Sequence, residues 1–323
     1  MRHSPDQLNL QSPVAVSRHW HEKNSATLLL GDCRDLLAEL PDASVQLVVT
    51  SPPYNIGKTY ERRHHLSDYL REQREIIHAC IDKLRSGGSI CWQVGNHVDS
   101  GEVFPLDVLL YPYFKERDLR LRNRIVWHFE HGLHCSQRLS GRHETILWFT
   151  KDAASGEYVF NLDPIRVPQK YPGKKHFKGA KKGQPSANPL GKNPGDVWKV
   201  EDGDNPGDVW VIPNVKHNHI EKTVHPCQFP IELVERLVLA LTDPGDLVLD
   251  PYMGVGSSIA AAVLHGRRGA GADIVEEYVR IAGERVNLAA TGSLQTRPRQ
   301  RPIYEPSENS ALTQRPWDSP NAR

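Results

Sequence analysis

Two short stretches of this chain hold residue types that could do chemistry. The first is Ser51-Pro52-Pro53-Tyr54, which ends an apolar run within "VVTSPPYNIGKTYE" (48–61). Proline lacks an N–H donor and has a fixed φ, so two in a row end sheet pairing and stiffen the loop beyond the strand. A stiff loop poor in donors presents carbonyl acceptors and one ring face, which suits a flat partner. The second is "DLVLDPYMGVGSSIAAAVLHGRRGAGADIVEEY" (246–278). Apolar residues lead to Asp250, Pro251 and Tyr252 come next, Gly254 and Gly256 make a turn, and Ser257 opens a helix. A second strand ends near Asp273, 23 residues after Asp250. Glycines in such a turn let backbone approach a ligand, and an acid at the next strand end holds ribose hydroxyls. The third glycine of a NAD site is missing, and no lysine precedes the serines as in a phosphate-binding loop. With an acid on each strand, the pattern favours a nucleoside-containing cofactor.

These stretches need a scaffold, and the apolar patterning supplies one. Short runs of strand character occur at 27–30, 45–50, 89–94, 125–129, 145–149, 247–250 and 269–274. Helical spacing separates many of them. In "LSDYLREQREIIHACIDKLRSGG", residues Leu66, Tyr69, Leu70, Ile76, Ile77, Cys80, Ile81 and Leu84 recur on one face, with Gly87 as the expected stop. "FPIELVERLVLALTDPGD" is similar, with Pro244-Gly245 as its stop. Strands alternating with helices imply an α/β fold with a largely parallel sheet covered on both faces.

Residues 152–224 break this rhythm. From Pro164 to Gly195 the chain has eight Lys or Arg and no Asp or Glu, and it is dense in Gly and Pro. This reads as an inserted cationic segment. Lys174, Lys175, Lys178, Lys181 and Lys182 are suited to neutralising phosphates, and the alternative is a solvated flexible loop. "NPGDVW" occurs at 193–198 and again at 205–210. Two copies are too few for a repeat architecture.

Composition narrows the rest. The chain has 323 residues, 38% of them apolar, and a net charge of +1, so charge alone points to no partner. No run of about 18 apolar residues exists, so no membrane span is expected. "MRHSPDQLNLQSP" lacks an apolar core, so no secretory signal is expected. The five cysteines are scattered and odd in number, which suggests free thiols and a cytoplasmic location. His217, His219, His225 and Cys227, or His128, His131, His134 and Cys135, invite a metal reading. Neither set has a standard zinc spacing, so no metal is expected.

At this point the chain resembles a known family. "DPYMGVGSS" is similar to the cofactor motif, and "SPPY" to the catalytic motif, of S-adenosylmethionine-dependent DNA amino-methyltransferases. The catalytic motif comes first and the cofactor motif last, which is the permuted order of that family's β group. "LLLGDCRDLL" with Asp32, "HETILWFTK" and "HPCQFPIELVERLVLALT" resemble further segments, with Phe229 where lysine is usual. The resemblance covers about residues 27–285 and is closest to the restriction-modification enzymes.

The resemblance implies a Rossmann-like methyltransferase sheet with an inserted target-recognition region. It implies a flexible arm at 1–25, a catalytic half at 26–151, a basic recognition insertion at 152–224, a cofactor half at 225–290 and a disordered tail at 291–323. Ser51, Pro52, Pro53 and Tyr54 would be catalytic. Asp32, Asp250, Pro251, Tyr252, Gly254, Gly256, Ser257 and Asp273 would hold S-adenosylmethionine, and the five lysines would contact double-stranded DNA. The implied reaction methylates the exocyclic amino group of a flipped base. Ser51 Oγ and the Pro52 carbonyl would accept its hydrogens, and the Tyr54 ring face, more than its hydroxyl, would hold the base. In the family, Ser at position 51 is commoner for cytosine N4, whereas Asn55 and the longer "SPPYNIGKTYE" look more like adenine N6, which is favoured. The alternatives are a methyltransferase acting on protein glutamine or RNA, and a catalytically silent DNA-binding relative. A cognate endonuclease is an implied partner, and the chain would act as a monomer or homodimer.

Overall fold

The computed structural model describes residues 14–57, 63–129, 134–151, 156–169, 171, 173–198, 215 and 219–297. In chain order the elements are β1 (Val16–Ser17), β2 (Ala26–Leu30), α1 (Cys33–Glu39), β3 (Val45–Thr50), α2 (Leu66–Lys83), β4 (Leu84–Val94), β5 (Asn96–Asp99) and β6 (Glu102–Pro105). Then come α3 (Leu106–Lys115), β7 (Arg120–His128), β8 (His143–Thr150), β9 (Val197–Trp198), α4 (Ile231–Leu241), β10 (Leu247–Asp250), α5 (Ser257–Leu264), β11 (Arg268–Asp273) and α6 (Glu276–Ala290).

Every residue of β3 and of β10 is buried. That explains their near-continuous apolar sequences, because a parallel strand covered on both faces has no solvent side. The main sheet runs β1-β2-β11-β10-β3-β4-β8-β7-β9. Only β8 runs against its neighbours β4 and β7 among the described strands. Side chains alternate across the sheet and feed two cores. Leu29, Val48, Ile90, Trp92 and Leu249 pack with Leu36 of α1, Ile77 of α2 and Phe114 of α3. Leu47, Val49, Cys91 and Val248 pack on the other face, with Leu237 of α4 and Ala261 of α5.

This topology places a crevice. From β10 the chain passes through α5 to β11, on one side. From β3 it passes through α2 to β4, on the other side and over the opposite face. The strand order therefore reverses between β10 and β3. The strands β2, β11, β10 and β3 are all parallel, so their carboxyl ends share one edge. Open α/β sheets bind ligands in the crevice at such a reversal.

Several expectations from sequence differ from the structure. The helix expected to stop at Gly87 ends at Lys83, and Leu84 caps it while already entering β4. Gly87, at φ +73°, serves an irregularity where β4 pairs with β3. β7 begins at Arg120 rather than 125, because the polar stretch "RLRNR" is held by pairing with β8. Val16–Ser17, inside the expected arm, pairs with β2 and buries Val16. Leu294, inside the expected tail, packs on the second core, and the Arg297 N–H donates to Glu221. The first NPGDVW copy supplies β9 beside β7. The second copy, Lys58 to Glu61, His131 and His217 lie outside the described residues.

Candidate active site

The loops at the carboxyl ends of β2, β3, β10 and β11 meet in one cavity of about 810 Å³. Ser51, Pro52, Pro53 and Tyr54 line it together with Asp32, Pro251, Tyr252, Gly254, Ser257 and Asp273. Asp250 and Gly256 are not on its wall. Two motifs about 200 residues apart in sequence thus share one space, and a single bond joins their strands. The Thr50 hydroxyl donates to Asp250 Oδ1 at 2.6 Å.

Asp250 organises the turn from behind. It is completely buried and accepts the Ser258 hydroxyl and, at 3.1 Å, the Tyr252 N–H. Burial pushes its carboxyl up to about 6, against these hydrogen bonds. Gly256 has φ +74°, and a Cβ there would lie 2.7 Å from Ala282 Cβ, so its bare backbone lets α5 meet α6. Gly254 has φ +51°, and its Cβ would stand 3.3 Å from His225 Nε2. Ser257 is tied up by the Phe229 carbonyl at 3.1 Å and the buried Arg285 guanidinium at 3.1 Å. Arg285 also donates to the Val255 carbonyl at 2.7 Å, which clamps the turn from α6. His225 packs edge-on against Tyr278, and burial, helped by Lys222 and Arg285, lowers it to about 4. A neutral imidazole therefore faces the turn at pH 7.

The acidic residues divide in use. Asp273 Oδ1 accepts the Val275 N–H at 2.8 Å, and burial raises its pKa. Asp32 caps α1 by accepting the Arg34 N–H at 2.8 Å, and its other oxygen meets the Arg34 guanidinium at 2.9 Å. On the α2 wall, Gln73 donates to the Tyr252 hydroxyl at 3.1 Å, while its buried Oε1 has no partner among the described residues.

Around the Pro-Pro loop, the Ser51 and Tyr54 hydroxyls are 3.1 Å apart. The Tyr54 hydroxyl donates to Glu144 Oε2 at 3.3 Å, and Gln93 Nε2 donates to the same oxygen. The tyrosine hydroxyl is thus engaged as well as its ring. Trp127 and Phe129 add aromatic surface, edge to face with centroids 5.5 Å apart. The sequence does not single out Glu144, Gln73, Gln93 or Arg285. For Glu144 a signal exists: its strand neighbours on the same face, Ile146 and Trp148, are core residues. An acid at the head of that row is expected to face a buried polar space.

The five lysines do not line this cavity. All five are exposed on a loop closed by a bridge between Lys175 and Pro185, with the His176 N–H donating to the Gln184 carbonyl at 2.9 Å. Phe177 projects among them at 83% exposure.

Residues 45–284 match the DNA methylase family. The chain is 47% identical over 300 residues to type II methyltransferase M.BglII from Bacillus subtilis, covering 90% of this chain and 79% of that one. It is 30% identical over 272 residues to DNA adenine methyltransferase YhdJ from Escherichia coli (strain K12), covering 82% and 83%. Its fold resembles TTHA0409 from Thermus thermophilus, a DNA modification methylase solved in complex with S-adenosyl-L-methionine. That match has a TM-score of 0.56 and 27% identity, covering 82% of this chain and 96% of that one. The fold also resembles the cytosine-N4-specific PvuII DNA methyltransferase, with a TM-score of 0.59 and 18% identity, covering 88% and 97%.

Proposed function

The chain belongs to the DNA methylase family, and on that premise we propose that it moves a methyl group from S-adenosylmethionine to an exocyclic amino group in double-stranded DNA. The observation that carries this is the shared cavity, where the acceptor loop at Ser51–Tyr54 faces the glycine turn at Gly254. S-adenosylmethionine, when bound, supplies an electrophilic methyl on a sulfonium.

The residues present fit that cofactor. Gln73 Oε1 is a buried acceptor lacking a donor, which an amino group would satisfy. Gly254 leaves bare backbone beside His225, and Asp273 stands at the strand end suited to ribose hydroxyls. Asp250, Gly256 and Ser257 act behind the wall, holding the turn in shape. Pro251 and Tyr252 form its surface.

The chain's own part in the chemistry is to localise a lone pair. An exocyclic amino nitrogen is a poor nucleophile because its pair is delocalised into the ring. Ser51 Oγ and the Pro52 carbonyl would accept its two hydrogens and favour a pyramidal nitrogen. A base inside a duplex hides that nitrogen, so it must be flipped out. Stacking on Tyr54 is worth about 1–3 kcal/mol and offsets part of that extrusion. The exposed lysines at 174–182 would hold phosphates beside the site, within the recognition region assigned to 152–224.

Adenine N6 is the favoured target, supported by the "SPPYNIGKTYE" form and by likeness to a named adenine methyltransferase. Ser51 in place of an acid supports cytosine N4 as the second reading, and the PvuII likeness supports the fold alone. The relatives' type II naming supports a cognate endonuclease as partner. Unmethylated plasmid DNA, incubated with the protein and cofactor and digested to nucleosides, gives the test by mass spectrometry. N6-methyladenine is the expected product. N4-methylcytosine alone would replace the base, and 5-methylcytosine or no product would overturn the class.

A further inference from the structure

Methylation of an amino group leaves a proton to be disposed of, and the Pro-Pro loop holds no charged base of its own. The nitrogen gives its lone pair to the methyl carbon, and the carbon–sulfur pair departs with sulfur. The nitrogen then carries one bond too many and must shed a proton. A serine hydroxyl can pass a proton on but cannot keep it.

The structure offers a destination. Ser51 Oγ lies 3.1 Å from the Tyr54 hydroxyl, and that hydroxyl lies 3.3 Å from Glu144 Oε2. All three side chains line the same cavity. Resting on the proposed methyltransferase activity, we propose that Glu144 is the final acceptor of the proton shed by the target amino group, reached through the hydroxyls of Ser51 and Tyr54. Ser51 Oγ takes the proton from nitrogen and gives its own to Tyr54. Tyr54 gives its own to the Glu144 carboxylate, which ends neutral and returns the proton to water after product leaves. Glu144 does not touch the base and acts through the other two.

The surroundings suit this task. From the loop after β3, Tyr54 faces the carboxyl, and from β4, Gln93 does. On β7 the residue paired with Glu144 is Trp127, which is uncharged. On β8 itself the neighbours His143 and Thr145 point to the other face by strand alternation. Burial raises the Glu144 carboxyl, the bonds from Tyr54 and Gln93 pull it back, and it rests at about 7. A group with that value can take a proton and release it near neutral pH. Only its ionised form can accept, so the rate rises with pH through about 7 and levels above it.

The test measures single-turnover methyl transfer across pH 5.5–9 on duplex DNA, for wild type and Glu144→Gln. The expected variant is slower by on the order of 10²-fold at pH 8, and its pH profile is flat. Tyr54→Phe should lose a similar factor, and the double variant little more, because both changes cut one path. Glu144→Asp, which keeps a carboxylate, should retain the pH dependence at a lower rate. It also shows whether the site tolerates change. A second readout needs neither cofactor nor DNA: the ¹³C carboxyl resonance absent from Glu144→Gln should titrate near pH 7 in wild type. A resonance titrating near 4.5, or additive losses in the double variant, would overturn the assignment. Wild type that methylates with a pH dependence unchanged in Glu144→Gln would defeat the role of Glu144 alone. Wild type that methylates no amino group would instead defeat the functional reading.

Discussion

Tyr54 joins two functions in one side chain, and substitution can separate them. Tyr54→Ala removes both the ring and the hydroxyl. Tyr54→Phe removes only the hydroxyl that meets Ser51 and Glu144. The expected result is a split: Tyr54→Phe lowers kcat with KM for DNA nearly unchanged, whereas Tyr54→Ala also impairs base extrusion. Fluorescence of 2-aminopurine at the target position reports extrusion, and equal fluorescence losses in the two variants would remove the stacking role. Asp250 is a different kind of residue, a support that never reaches the cavity. Asp250→Ala strands the Thr50 and Ser258 hydroxyls and should cost about 3 kcal/mol in urea unfolding. Its carboxyl is raised from 3.8 to about 6 by burial. The stability it contributes is therefore fully present below 3.8 and is lost as pH rises through about 6. Asp250→Asn should accordingly lose less, relative to wild type, at pH 8 than at pH 5. At this scale the motif residues were legible because proline, glycine and acid each have few reasons to sit where they do. Glu144 was not, since an acid at a strand end reads as solvated until the neighbouring strands are known.

Elements were legible where burial was two-sided. The runs at 45–50 and 247–250 are β3 and β10, because no solvent face interrupts their apolar residues. The stop of α2 was misread because glycine serves a strand irregularity as readily as a helix end. β1 was missed because two residues carry no period. The close meeting of α5 and α6 yields a direct test. Gly256→Ala adds a Cβ 2.7 Å from Ala282 and forces an unfavourable φ. It should destabilise the fold by about 2 kcal/mol or more, seen as a Tm lowered by several degrees. The lysine loop tests the opposite quality, its exposure. Replacing Lys174, Lys175 and Lys178 together by Gln should weaken binding to all duplex sequences. The slope of log affinity against log salt should flatten by up to about three. An unchanged slope would mean that this loop does not meet phosphate.

At the scale of the whole molecule, the catalytic and cofactor halves expected from sequence are interleaved rather than side by side. β11 and β10 lie between β2 and β3, so the late strands complete the middle of a sheet whose flanks come early. A fragment of residues 14–151 would leave β2 and β3 with two strands missing between them. Alone it should show no cooperative unfolding transition by circular dichroism, and a sharp transition would mean that the halves are autonomous. Sequence could mark each strand but not this order, because pairing is decided by which apolar faces the helices cover. The interleaving also sets a clock. Thr50 and Asp250 bond across 200 residues of chain. At about 5–20 residues per second, β3 leaves the ribosome roughly 10–40 s before β10 does. During that interval the flank of β3 has no neighbour, and an apolar strand edge of this kind is what chaperones hold and aggregates capture. The nascent chain carries its acceptor loop from the start, yet it has no wall for the cofactor until its last quarter is made.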